Sequence, residues 1–141
     1  RITGVNGVIT FIVTDPLSFE PGESCRSIWY YWAATGLPGF ECSLLVFPKG
    51  TTCTGEPHQL AAFVAVRPCG AEIGASCDWK LQGVDLRIEV QKTSGVSFGP
   101  DNLIHCFSNS SDDRGYHRGF LRCSDMTEEN EWLNKHKELT I

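Results

Sequence analysis

At 141 residues, with 41% hydrophobic and 11% aromatic content, the chain has the size and apolar supply of one domain with a single core, residues 1–141. Its 12 basic against 17 acidic residues leave a formal charge of -5, which gives no cationic footprint for nucleic acid. No apolar run reaches the ~20 residues that cross a bilayer, so membrane insertion is not expected, and Arg1-Ile2-Thr3-Gly4 lacks the charged and apolar regions of a signal peptide.

Val8 to Thr14 is β-branched and aromatic, short, and stopped by Asp15-Pro16, which is the chemistry of a first strand with a turn at its end. A polar link at Glu20-Pro21-Gly22-Glu23 leads to Ser27-Ile28-Trp29-Tyr30-Tyr31-Trp32, closed by Thr35-Gly36-Leu37-Pro38-Gly39, and this reads as a second strand and turn. Alternation puts at most half of those aromatics on one face; the core is favoured for them over a carbohydrate- or protein-binding patch. Phe40 to Phe47 forms a third strand, halted by Pro48-Lys49-Gly50 because proline cannot donate to a ladder. After a polar loop from Thr51 to Pro57, Leu60 to Val66 is a nearly continuous apolar run, as in a central strand buried on both sides. From Trp79 to Val90 apolar and charged residues interleave, and from Val84 onward the even positions face a core. Lys92 to Asp101, rich in Ser, Gly and Pro, reads as loop, and Leu103 to Phe107 as a strand. Ser124 to Leu133 has the polar start and acidic first turn of a short helix, and Leu139-Thr140-Ile141 begins a last strand. Many short strands with Gly/Pro turns predict an all-β antiparallel sandwich.

The stretch from His105 to Leu121 draws attention for function. A strand ending in an aromatic enters a polar loop of Ser and Asp, and the chain returns to the core through Gly115, Tyr116 and Phe120-Leu121. Its Ser108 to Ser111 run offers hydroxyl contacts to a ligand or is an ordinary solvated loop. Other chemistry finds little support. The cysteines have no metal-ligand spacing, and adjacent His105 and Cys106 point to opposite faces of a strand, so no metal is expected. There is no local signature of a Cys nucleophile with a His base and no strand, glycine loop and helix to cradle phosphate, so neither catalytic residues nor a cofactor are assigned. The seven cysteines, an odd number spread along the chain, favour free thiols in the cytoplasm or nucleus. A secreted or cell-surface module remains as the competing reading, with bridged cysteines such as Cys69 and Cys77 around a Gly-rich turn and an oligosaccharide on Asn109 of Asn109-Ser110-Ser111.

Taken together, several segments resemble a known family. Phe40-Glu41-Cys42-Ser43-Leu44-Leu45-Val46-Phe47-Pro48-Lys49-Gly50 is similar to the "W-x-L-x-V-x-P-x-G" strand of MATH domains, also called TRAF-C domains. Leu60 to Val66 resembles their central strand and Val84 to Val90 their alternating one. His105-Cys106-Phe107 with Asp113-Arg114-Gly115-Tyr116 and Phe120-Leu121 is similar to "Y-x-F … D-W-G-F-x-x-F-I", and Lys137 to Ile141 to the start of the closing strand. The chain departs from the pattern in having Arg114 for Trp, Tyr116 for Phe, His105 for the first Tyr, and one extra residue between Gly115 and Phe120. The resemblance implies an eight-stranded antiparallel β-sandwich of the TRAF-like type, read here as part of a larger protein because the chain starts without Met. It further implies a non-enzymatic interaction module that takes short linear peptide motifs of partner proteins as an added strand along a sheet edge. Recruitment in the ubiquitin pathway, in a deubiquitinase or a ligase adaptor, comes with it. By the same resemblance, Phe63 and Val84 form the apolar floor of the groove, with His105 and Phe107 alongside, and Asp113, Arg114 and Tyr116 form the wall that touches the peptide.

Overall fold

The computed structural model of the chain describes residues 8–31, 39–51, 58–69, 78–100 and 102–141, with the side chains of residues 116–118 outside that description. Trp32, most of the turn after it, the loop from 52 to 57, and Cys53 and Cys77 also lie outside the described residues. The described chain is all-β and antiparallel. Its strands are β1 (Ile12–Thr14), β2 (Cys25–Arg26), β3 (Tyr30–Tyr31), β4 (Phe40–Phe47), β5 (Gln59–Pro68), β6 (Lys80–Leu86), β7 (Val90–Gln91), β8 (Ser97–Phe98), β9 (Leu103–Ser108), β10 (Asp113–Arg122) and β11 (Glu138–Thr140). One sheet runs β1-β11-β7-β8, a second β10-β5-β4-β2 with β3 also on β4, and a third pairs β6 with β9. No helix among the described residues is long and apolar enough to cross a membrane.

The β4–β5 pair forms the backbone of the molecule, in unbroken register from Phe40↔Pro68 to Phe47↔Ala61. Its even-numbered residues face inward. Leu44, Val46, Leu60 and Ala62 pack with Val13, Val90 and Leu139 of the four-stranded sheet, closed below by Met126, Trp132 and Leu133. Cys42 and Val66 pack instead with Phe107 of β9, with Val84 and Leu86 of β6 against them. The five-stranded sheet is therefore one layer, and the other two sheets share the opposite layer. Leu60, Ala61 and Ala62 are all fully buried, the pattern of a central strand covered on both faces.

Several segments differ from the sequence-based expectation, each for a local reason. Of the expected second strand, Ser27 to Trp32, only Tyr30–Tyr31 is a strand among the described residues; β2 precedes it on β4, and between the two the Ser27 hydroxyl accepts the Leu44 amide at 2.8 Å. Trp29 is not a core residue. It is half-buried on the outer face, with the Arg67 guanidinium 3.9 Å above its ring and Arg67 in turn 3.0 Å from Glu41. From Val84 to Val90 the even positions face inward as expected, whereas before the irregularity between Leu81 and Val84 the odd residues Trp79 and Leu81 do, and the segment changes sheets, β6 pairing with β9 and β7 with β8 and β11. The expected loop from Lys92 to Asp101 contains β8, folded back on β7 through a turn in which the Lys92 amide donates to Val96 O at 2.7 Å.

The expected helix over residues 124–133 is absent. In its place stand a 3-10 turn, Cys123–Asp125, and a single further turn. Thr127 Oγ1 caps that turn by accepting the Asn130 amide at 3.0 Å. Glu131 then takes a φ of 66°, and the amides of Glu131 and Trp132 donate to Glu128 O and Thr127 O at 3.0 and 3.1 Å. This is the bond pattern that ends a helix at a left-handed residue, so the stop follows one turn after the start.

Candidate functional site

The β9–β10 hairpin carries most of the residues expected to bind a ligand. Ser108 and Ser111 exchange both backbone bonds, at 3.0 and 3.1 Å, around the exposed tip Asn109-Ser110. The hydroxyls of the Ser run are used inside this hairpin: Ser111 Oγ lies 3.0 Å from His105 Nε2, and Ser108 Oγ 3.1 Å from Ser110 Oγ. Asn109 donates to Asp78 Oδ1 at 3.1 Å. Beyond the tip the two strands part company, because β9 continues against β6 whereas β10 turns to β5. The switch is made at Asp112, whose carbonyl accepts the Val66 amide at 2.8 Å.

That one bond fixes which backbone groups of β10 are free. Along an antiparallel ladder, residues alternate between turning both their N–H and C=O toward the partner and turning both away. With the Asp112 carbonyl directed at β5 and Asp113 in register with Ala65, the amides and carbonyls of Asp113 and Gly115 face outward. On that side β10 pairs with no strand among the described residues. Its register on β5 then slips between Tyr116 and Leu121, where four residues of β10 stand against Ala61 alone in a bulge. Gly119 supplies the left-handed φ of 82° that the bulge needs.

Val84, His105 and Phe107 come together. Val84 is in register with His105 across β6 and β9, and the His105 and Phe107 rings meet edge to face at 4.7 Å and 86°. Phe107 is fully buried. Val84 and Phe107, with Val64 and Val66, line an inter-layer cavity of about 450 Å³. Arg114 is exposed on the edge, in register with Val64 and therefore on the inner face of its sheet, and no ion pair joins it to a described residue. Asp113 is exposed one residue earlier, on the outer face. The backbone of Tyr116 pairs with Ala62, and its side chain lies outside the described residues.

Phe63 stands apart from the group. It is in register with Leu45 and Gly115, and its ring packs edge-on to Phe47 at 5.8 Å, which places it on the outer face. The inward side chains of β5 are its neighbours Ala62 and Val64. Strand alternation thus puts the sheet itself between Phe63 and Phe107.

No disulfide joins Cys25, Cys42, Cys69, Cys106 or Cys123, and burial pushes the Cys25 thiol above the ordinary thiol value. No group of three His, Cys, Asp or Glu among the described residues is placed to hold a metal ion. Comparison with models of known protein families gives no match, and comparison with curated proteins gives none. The sequence reading missed Phe98, which the structure places on the edge strand β8 with a partly exposed ring. An aromatic amid the Ser and Gly of that segment was the available signal.

Proposed function

We propose that the chain is a protein-interaction module which binds a short extended peptide as an added strand on the free edge of β10. The observation that carries this reading is the ten-residue length of β10 with one neighbour only among the described strands, which leaves the N–H and C=O of Asp113 and Gly115 turned outward. An unpaired edge is a template for another chain, with backbone bonds giving affinity and pockets for alternate side chains giving specificity. Arg114 and Asp113 flank those groups, and Val84, His105 and Phe107 back the adjoining hairpin. Phe63, across the sheet, is left out of the groove.

The Arg114 guanidinium in a place where MATH domains carry an indole favours a ligand with a carboxylate or paired carbonyl oxygens there, since its fork matches such acceptors. The sequence likeness to MATH domains supports a role in recruiting substrates within the ubiquitin pathway, and the lack of a disulfide among the described cysteines accords with a reducing compartment.

An array of terminally blocked decapeptides tests the reading. Asp113→Pro removes one outward amide and no bond of the β5 ladder. It is expected to lower the affinity of selected peptides by about tenfold, the worth of one backbone bond, while the protein still melts cooperatively. Unchanged affinity in this variant would move the site off this edge.

A further inference from the structure

Resting on that reading, we infer that a second cleft, between the free edges of β8 and β10, takes an apolar side chain of the bound peptide together with a neighbouring carboxylate. The cleft holds about 480 Å³ and is formed where Phe98 of β8 and Phe120 and Arg122 of β10 meet Lys92 and Trp132. β8 pairs only with β7, and β10 only with β5, among the described strands. The cleft therefore lies farther along the strand on which the peptide is added, past the bulge between Tyr116 and Leu121. A ten-residue extended segment spans ~33 Å, enough to run along β10 from Asp113 into the cleft.

The walls state what would fit. Phe98 is in register with Val90 on the core-facing side of its sheet, yet Val90 is fully buried and Phe98 is 46% exposed. Its ring packs against Trp132 with centroids 6.2 Å apart, and Trp132 is itself 8% exposed. An apolar side chain entering here covers the open part of Phe98, a gain of the kind that anchors peptide ligands.

The charges are as informative as the rings. The Lys92 ammonium lies 5.0 Å over the Trp132 ring, and Arg122 is exposed at the rim. Neither is ion-paired to a described residue, although the chain carries a net charge of -5. Asp125 is the acidic residue of the cleft, beside Asn130, whose side-chain amide donates to the Asp125 backbone carbonyl at 2.9 Å. Two cations against one carboxylate give the cleft a sign opposite to that of the molecule. A carboxylate next to the buried side chain meets both cations, with the guanidinium able to bind it in a fork.

Selection from a random library of terminally blocked decapeptides on the intact chain tests this. The expected result is enrichment of an aromatic or aliphatic residue beside Asp or Glu. Lys92→Glu with Arg122→Glu should weaken the selected peptide at least about tenfold, and selection on that variant should replace the acid by Lys or Arg. The milder Arg122→Gln should weaken the same peptide without altering the melting midpoint. If the charge-reversed protein selects the same sequences with unchanged affinity, the cleft is not a subsite, and the Asp113→Pro result then decides alone whether the edge is the site. If the wild-type chain selects no peptide, both readings fall together.

Discussion

Gly115 lies opposite Phe63 where β10 pairs with β5, the two ten-residue strands. A Cβ added there would overlap the Ala62 carbonyl oxygen and lie 2.6 Å from Phe63 Cα, both of them backbone atoms that cannot swing aside. Gly115→Ala is therefore expected to destabilise the protein by about 1–3 kcal/mol, the usual cost of overpacking, read as a lowered urea midpoint. A midpoint equal to wild type would mean that the edge strand is not held as described. The glycine was legible in the sequence as part of a motif, but its reason was not, since the clash depends on the register with β5. Phe63 shows the opposite limit. Leu60, Ala61 and Ala62 are apolar on both faces, so no polar alternation marks which way Phe63 points, and only pairing with Leu45 settles it.

Among the elements, those written in continuous apolar runs were legible: Phe40–Phe47 and the strand around Leu60 to Val66 occupy β4 and β5 as their composition predicts. β8 was not, because two residues, Ser97 and Phe98, become a strand through pairing with Gln91 and Val90 and not through any preference of their own. The turn at Thr127 shows how a start signal misleads when the stop follows at once. The cap and acidic residues are genuine, but Glu131 is held at a φ of 66° and ends the turn. A left-handed conformation costs an L-residue roughly 1–2 kcal/mol, part of which glycine returns as unfolded-state entropy. Glu131→Gly is expected to raise stability by about 0.5–1 kcal/mol in chemical denaturation. A loss of stability would show that the Glu131 side chain contributes more than its backbone costs.

For the molecule as a whole, the layering explains where the outward edge of β10 lies. The β9–β10 hairpin is tied shut at its tip by Ser108, Ser111 and His105, then hands one strand to each layer. β10 is thereby anchored at both ends, by Asp112 on Val66 and by the Cys123 amide on His58, while its outer side pairs with no strand among the described residues. A strand held in this way offers a rigid template, so little ordering entropy is lost by the protein when a ligand adds. The outward groups follow from the register and from no side chain, which is why residue types alone pointed to the region but not to the particular amides.

Amide hydrogen exchange along β10, followed residue by residue in the free chain and with a selected decapeptide bound, tests the central claim most directly. Free, the Asp113 and Gly115 amides should exchange quickly, and the Arg114 amide, directed at β5, slowly. Binding should slow Asp113 and Gly115 by about tenfold or more and leave Arg114 nearly unchanged. Saturating peptide that leaves both outward amides exchanging as fast as before would contradict strand addition on this edge.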